Sequence, residues 1–313
     1  MINKNRYVFG PVPSRRLGIS LGVDLIPYKT CNLNCLYCEC GPTTRHINTR
    51  DRFADPREVS IQVREAVQAA SHIDHITFSG SGEPTLSIDL GTIIREIRGF
   101  TGVPIAVLTN GTLLDRPDVR NDLMDADLVL PSLDAATPEA FARINQYHPD
   151  LCIEVIIDGL VQFRSEFPNP IWLEVFILEG INTSDPELDA LHEAIRRIHP
   201  DRVQLNSLDR PPAFPAVVAA PFALLERIRA RWEDLPVEII KRMEHRGDVP
   251  RYSQNLENSL VNALQRRPMT LKDLQAISGI APEEIRHYLD ILEKENRIKP
   301  MVMNGEIFFQ CRD

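Results

Sequence analysis

Four of the chain's six cysteines fall within ten residues, in Thr30-Cys31-Asn32-Leu33-Asn34-Cys35-Leu36-Tyr37-Cys38-Glu39-Cys40-Gly41. The core spacing is C-x3-C-x2-C, with an aromatic residue directly before the third cysteine. The apolar run Ile19 to Ile26 precedes it and is closed by Pro27, which places the thiols on a loop leaving a strand. A short loop with three thiolates wraps one soft metal centre, and iron–sulfur clusters and zinc are the candidates. Structural zinc wants four closed ligands, usually in two separated pairs. Cys152 and Cys311 stand alone and distant, so a second pair is missing from the sequence. Three thiolates suit a cubane with one iron left open to a substrate or cofactor. A zinc site completed by Cys40 or His46 is the alternative. A disulfide fits less well, because no signal peptide precedes the motif and cytosolic thiols stay reduced.

The spacing and aromatic residue resemble the signature of the radical S-adenosylmethionine (SAM) superfamily. The resemblance covers roughly Gly10 to Arg210 and implies that Cys31, Cys35 and Cys38 bind three irons of a [4Fe–4S] cluster. The fourth iron would chelate the amino and carboxylate groups of SAM, and Tyr37 would lie near the adenine. The segment Gly10-Pro11-Val12-Pro13-Ser14-Arg15-Arg16-Leu17-Gly18 is similar to the branch that contains the tRNA wyosine-synthesis enzymes. Those enzymes are known for a Schiff-base lysine and a second cluster. This chain lacks the extra N-terminal cysteines, which sets it apart from the wyosine reaction. Lys29 reads either as a substrate contact or as a solvated loop lysine, and its context favours the second. The Arg15-Arg16 pair reads either as a contact for an anionic or nucleic-acid-derived substrate or as a surface salt-bridge pair.

Strand and helix signals alternate along the chain. Strands are expected at Ile19–Ile26, His75–Phe78, Ile105–Leu108, Leu128–Leu130, Ile171–Leu178 and Arg202–Leu205. Helices are expected at 56–70, 88–97, 118–124, 138–144, 153–167 and 186–198, the first from Val59, Val63 and Ala66 on one face after Pro56. Repeated βα units imply a parallel sheet. Pattern alone leaves open sheet and barrel undecided. The family resemblance implies an α/β fold with a partial (β/α)6 radical SAM barrel, whose chemistry gathers at the C-terminal strand ends.

Those strand ends carry polar groups. After the second expected strand comes Ser79-Gly80-Ser81-Gly82-Glu83-Pro84; its glycines let backbone approach a ligand closely. In the family this place receives the SAM amino group, so Gly82 and Glu83 become candidate cofactor contacts. The resemblance also assigns cavity-lining roles to Asn110, Ser132 and Asp134, a ribose contact to Asn182, and a place in the cavity to Asn206 and Arg210. A turn at Asn110-Gly111 and a helix cap at Asp134 are the structural alternatives.

Past the barrel, Pro211, Pro212, Pro215 and Pro221 cluster before a helix at 222–232. Residues 1–243 are expected to form the barrel domain with an N-terminal extension, 244–253 a linker, and 254–313 a second domain. The second domain shows helices at 256–264, 271–277 and 282–295, then a hairpin around Asn304-Gly305. Together they resemble a small winged-helix domain. Its helix 282–295 carries Arg286, His287 and Lys294 but also Glu283, Glu284, Asp290, Glu293 and Glu295. A macromolecular partner, DNA or protein, is expected there, and a packing lid is the alternative.

Hydrophobic residues make up 43% of the chain, enough for a sizeable core. No apolar run reaches the ~18–20 residues that span a membrane, and a cytoplasmic enzyme without membrane partners is expected. The net charge of −9 excludes a uniformly basic nucleic-acid surface but not a local patch. The expected activity is that of a radical SAM oxidoreductase or transferase. Reduced by an external flavodoxin- or ferredoxin-type donor, its cluster would cleave SAM to a 5′-deoxyadenosyl radical that abstracts hydrogen from an unidentified substrate. The alternative is an iron–sulfur redox sensor or transcription regulator that binds DNA through the winged helix.

Overall fold

A computed structural model describes residues 7–214, 216–240, 256–280 and 282–312. The first part is a run of βα units. Strands β1 (Val8–Ser14) and β2 (Gly18–Val23) form an antiparallel hairpin, and two-residue strands β3 (Thr30–Cys31) and β4 (Arg45–His46) bracket the cysteine loop. There follow α1 (Pro56–Ala69), β5 (His75–Phe78), α2 (Leu90–Arg98), β6 (Ile105–Thr109), α3 (Pro117–Leu123) and β7 (Leu128–Pro131). Next come α4 (Pro138–Asn145), α5 (Ile153–Glu166), β8 (Trp172–Phe176), α6 (Asp185–Ile198), β9 (Arg202–Asn206), α7 (Phe222–Arg231) and β10 (Val237–Ile239).

One sheet runs β1-β2-β5-β6-β7 and a second β10-β9-β8, parallel throughout except for β1. Parallel bridges from Val129 to Ile171 and from Ser132 to Glu174 carry the order on from β7 to β8. Ile76, Ile105, Val107, Val129, Leu173 and Val203 are fully buried, as expected of strands covered on both faces. Local chemistry agrees with the packing. In α1, Asp55 accepts from the Arg57 amide, Pro56 opens the helix, and Val59, Val63 and Ala66 turn inward. Ser184 caps α6 in the same way, and the Trp232 indole after α7 donates to the Leu188 carbonyl at 3.2 Å, tying α7 to α6.

Two strands depart from the sequence expectation. The stretch that becomes β1 contains two prolines, a cis Gly10–Pro11 bond and a bulge between Phe9 and Val12, so it has no period-two pattern. Proline is tolerated because β1 lies at the edge of the sheet. At the opposite edge, β10 is only three residues long.

The C-terminal part comprises α8 (Leu256–Arg266), β11 (Met269–Thr270), α9 (Leu271–Ser278), α10 (Pro282–Lys294), β12 (Ile298–Met303) and β13 (Glu306–Cys311). Its sheet order is β11-β13-β12, and Leu260, Leu264, Leu274, Ile285, Leu289 and Ile298 form a core of their own. Asn304 and Gly305 both have positive φ, 52° and 78°, the geometry of a tight hairpin turn. The expected linker, 244–253, lies outside the described residues. This part packs on the first: α9 lies along β1, and Arg210 donates to the Pro268 carbonyl and to Asp273, each at 2.9 Å.

Candidate active site

The cysteine loop leaves the C-terminal end of β2 and is fastened at both ends. Lys29 turns the chain with a left-handed backbone (φ 54°), and its amide donates to the Ser81 carbonyl at 3.0 Å. Further along, the amides of Asn34 and Leu36 donate to the carbonyls of Asn145 and Ile144 at 2.8 and 2.9 Å. These are carbonyls of the last turn of α4, which lack partners within their own helix. Asn32 is fully buried and donates to Thr112 and Asn48, while accepting from Asn110 at 2.7 Å.

Each of the three motif sulfurs faces an N–H donor. The Lys29 ammonium lies 3.0 Å from Cys38 Sγ, Asn145 Nδ2 lies 3.3 Å from Cys35 Sγ, and the Leu33 amide lies 3.4 Å from Cys31 Sγ. Lys29 is therefore buried, not solvated as its sequence context implies. Burial works against its charge, but the Cys38 sulfur outweighs it and holds the pKa above the ordinary lysine value. Cys38 is pulled down to about 5, first by a hydrogen bond from the Cys40 thiol and then by Lys29 against the cost of burial. Burial pushes Cys31 up to about 12 and Cys35 well above the usual thiol range.

This donor set fits a cluster. All three thiols are free, share one loop and interact with one another electrostatically. N–H donors to sulfur are the groups that tune iron–sulfur centres. Among the described residues no group of three His, Cys, Asp or Glu side chains converges as ligands of a single metal ion do. A four-iron cluster is larger than a single ion, so the thiolates that would hold it stand farther apart than the ligands of one ion.

Around this loop the candidate residues divide into two kinds. Glu83 is buried, and its carboxylate accepts from the Thr85 amide (3.0 Å), the Thr85 and Thr109 hydroxyls (2.6 Å each) and the Asn110 amide (2.7 Å). Four donors fix its position next to the cysteine loop. Burial, offset by these donors, raises its pKa. At Gly82 a Cβ would stand 2.4 Å from the Thr30 carbonyl oxygen, so glycine lets the cysteine loop pass closely. Asn182 donates both amide protons, to the carbonyls of Asp134 and Phe176 at 2.7 Å, and is fully buried. It ties the loop after β7 to the end of β8.

Asp134 is not a helix cap. It accepts from the Tyr37 hydroxyl (2.5 Å), Asn145 (2.8 Å) and the Phe176 amide (2.9 Å). Tyr37 stacks on Phe176 with centroids 3.8 Å apart, so one face of its ring is already covered. Asn145 thus links Asp134 to Cys35, and its Oδ1 is buried without a hydrogen-bond partner. No sequence motif marks Asn145. Asn110 holds Asn32 and Thr112 and reaches 3.7 Å from Cys31 Sγ. Ser132 bridges to Glu174 at the β7–β8 junction and, with Asn110 and Asp134, lines a small crevice.

Tyr37, Cys38, Glu39, Gly80 and Asn206 line a cavity of about 340 Å³. Asn206 accepts from Arg15 at 3.2 Å. Arg266, Arg267 and Met269, from the C-terminal part, line the same cavity. That part is not remote from the candidate site, as its reading as a separate module implies. Glu39, next to Cys38, faces Arg210 at 3.5 Å and Arg267 at 3.9 Å, which couples the cysteine loop to the C-terminal part.

A parallel α/β sheet with a three-cysteine loop at its strand ends defines a class, and the chain belongs to it: the radical SAM superfamily, whose sequence profile matches residues 25–198. This superfamily uses a [4Fe–4S] cluster and SAM. A Brachyspira hyodysenteriae protein named GTPase Obg is 35% identical across 98% of this chain, which spans 45% of that protein's length. The UPF0026 protein MJ1312 of Methanocaldococcus jannaschii is 30% identical over 96% of this chain and 94% of its own. Among solved structures, a radical SAM methyltransferase from Sphaerobacter thermophilus matches with a TM-score of 0.53 at 18% identity, over 70% of this chain and 65% of that one, a likeness of fold alone. Among the described residues no helix is long and apolar enough to cross a membrane.

Proposed function

We propose that Cys31, Cys35 and Cys38 hold a [4Fe–4S] cluster and that the chain cleaves SAM reductively to abstract hydrogen from a substrate in the adjacent cavity. The observation that carries this reading is the N–H donor facing each of the three sulfurs, on a loop that opens into one cavity. When bound, the cluster supplies one electron to the SAM sulfonium, giving methionine and a 5′-deoxyadenosyl radical. An external one-electron donor of flavodoxin or ferredoxin type reduces it.

The chain's own residues bind, orient and exclude water. Lys29 and Asn145 balance and aim the sulfurs of Cys38 and Cys35. Ser79 and Gly80, which line the cavity together with Cys38, Asn206 and Tyr37, offer backbone groups to SAM, and the open edge of Tyr37 meets the adenine. Glu83, Asn110, Asp134 and Asn182 hold these loops in place. The curved sheet is read as a partial (β/α)6 barrel in residues 1–243, and 254–313 as a winged-helix domain that lies against the cavity. Its docking through Arg210 and α9 favours a lid over a free DNA reader.

Anaerobic reconstitution tests the reading. The expected result is about four irons and four sulfides per chain, with 5′-deoxyadenosine formed from SAM under dithionite. A protein that takes up zinc alone, or a replete cluster that never cleaves SAM, would refute it.

A further inference from the structure

The cavity wall carries five arginines, two of them from the far end of the sequence. Arg15 and Arg16 stand on the turn between β1 and β2, Arg210 follows β9, Arg266 ends α8 and Arg267 follows it. Two carboxylates, Glu39 and Glu174, line the same wall. Arg16 pairs with Glu174, and Arg210 with Asp273 and the Pro268 carbonyl, so these two serve the fold. Arg15 and Arg267 are placed differently. Arg15 Nη1 stands 3.6 Å from Asp209, and Arg267 Nη1 stands 3.9 Å from Glu39. Both distances exceed the roughly 2.7–2.9 Å of a charge-assisted hydrogen bond. The Arg15 fork instead donates to the Asn206 side-chain amide oxygen, Oδ1, at 3.2 Å.

Crowding like charges in a half-buried wall costs free energy that a bound anion recovers. Burial first, and a neighbouring guanidinium second, bear on two of these groups. Burial and then the neighbouring Arg210 lower the Arg267 pKa, and burial and then Arg15 bring Arg16 down to about 10. Guanidinium forks suit phosphate oxygens, which accept two parallel N–H bonds from each fork. The cavity, at about 340 Å³, has the size of a small-molecule pocket. The C-terminal part walls it on one side, and the chain's net charge of −9 disfavours a long polyanion.

We propose that this cavity takes a small phosphorylated substrate whose phosphate or diphosphate is held by Arg15 and Arg267, which makes the C-terminal part a wall of the substrate site. The assignment as a substrate rests on the radical SAM reading above; the anion site itself rests on the arginine geometry.

The test is calorimetric titration of the full-length, cluster-reconstituted protein with inorganic pyrophosphate. Succinate and an unphosphorylated single-stranded RNA 12-mer are the comparison ligands. Pyrophosphate should bind, and more tightly than succinate or RNA. Arg15→Gln and Arg267→Gln should each weaken it ~10–100-fold, the range of a lost charged hydrogen bond. Arg229→Gln, on an exposed face of α7, should leave it unchanged. Thermal melts confirm folding; where a Gln variant does not fold, Arg15→Lys or Arg267→Lys replaces it, with a smaller loss expected. No pyrophosphate binding, undiminished binding in folded Arg15 and Arg267 variants, or tighter binding of succinate or RNA overturns the proposal. SAM cleavage is assayed on the same samples. Arginine-dependent pyrophosphate binding without SAM cleavage defeats the radical reading alone, and SAM cleavage without pyrophosphate binding defeats this proposal alone.

Discussion

The Lys29 ammonium lies 3.0 Å from the Cys38 sulfur, brought there by a left-handed turn at Lys29 itself. The pair is a buried cation against a sulfur assigned to the cluster. Removing the cation leaves that sulfur's charge less compensated. Lys29→Met should therefore lower the cluster's reduction potential and weaken iron retention by ~10–100-fold, the usual cost of losing an outer-shell partner. A potentiometric titration followed by EPR, with an iron-release assay, checks both. An unchanged potential and unchanged retention would show that Lys29 does not act on the cluster.

The cysteines should separate cleanly. Cys31→Ala, Cys35→Ala and Cys38→Ala should each abolish the visible absorption of the cluster and SAM cleavage. Cys40→Ala should retain both, although the Cys40 thiol neighbours Cys38, because it stands outside the C-x3-C-x2-C set. Loss of the cluster on changing Cys40 while one of the other three is dispensable would overturn the assignment.

Glu83 should prove a fold residue more than a ligand contact. Glu83→Ala strands buried donors from Thr85, Thr109 and Asn110, at about 1–3 kcal/mol each. Urea denaturation of the cluster-free protein should show a loss of more than about 3 kcal/mol. A variant as stable as the parent but unable to bind SAM would restore the direct contact.

Asp273 connects pH to the C-terminal part. Burial raises its pKa, but Arg210 and the Thr270 donors outweigh burial and hold it at about 2, against 3.8 unperturbed. A depressed carboxylate pKa means stability that is present above the unfolded value and lost as pH falls, here between about pH 4 and pH 2. The shift corresponds to about 2 kcal/mol. In cluster-free protein, Asp273→Asn should lose about that much at neutral pH and flatten the acid side of the stability curve. A parallel acid dependence in the variant would place the effect elsewhere.

Much of this was legible in the residues themselves. The C-x3-C-x2-C loop marks its own chemistry because three soft ligands in eight residues have few other uses. Apolar runs such as His75–Phe78 and Ile105–Thr109 mark parallel strands because both their faces must be covered, and Asn304-Gly305 marks a hairpin because few other pairs accept two positive φ values. These signals are local, and local energetics decide them.

Tertiary structure decided the rest. The strand β1 was hidden by its prolines, and β10 by its length. Glu83 and Asn182 read as ligand contacts from the family resemblance; that four donors gather around one and two carbonyls around the other was decided by packing. Lys29 read as solvated because nothing in Tyr28-Lys29-Thr30 says where Cys38 will lie. Asn145 meets Cys35 across 110 positions, and Arg267 meets Glu39 across a still longer separation. A sequence specifies which groups are available and which segments bury themselves. Which charge faces which sulfur, and which arginines share a cavity, depends on long-range packing that no local pattern encodes.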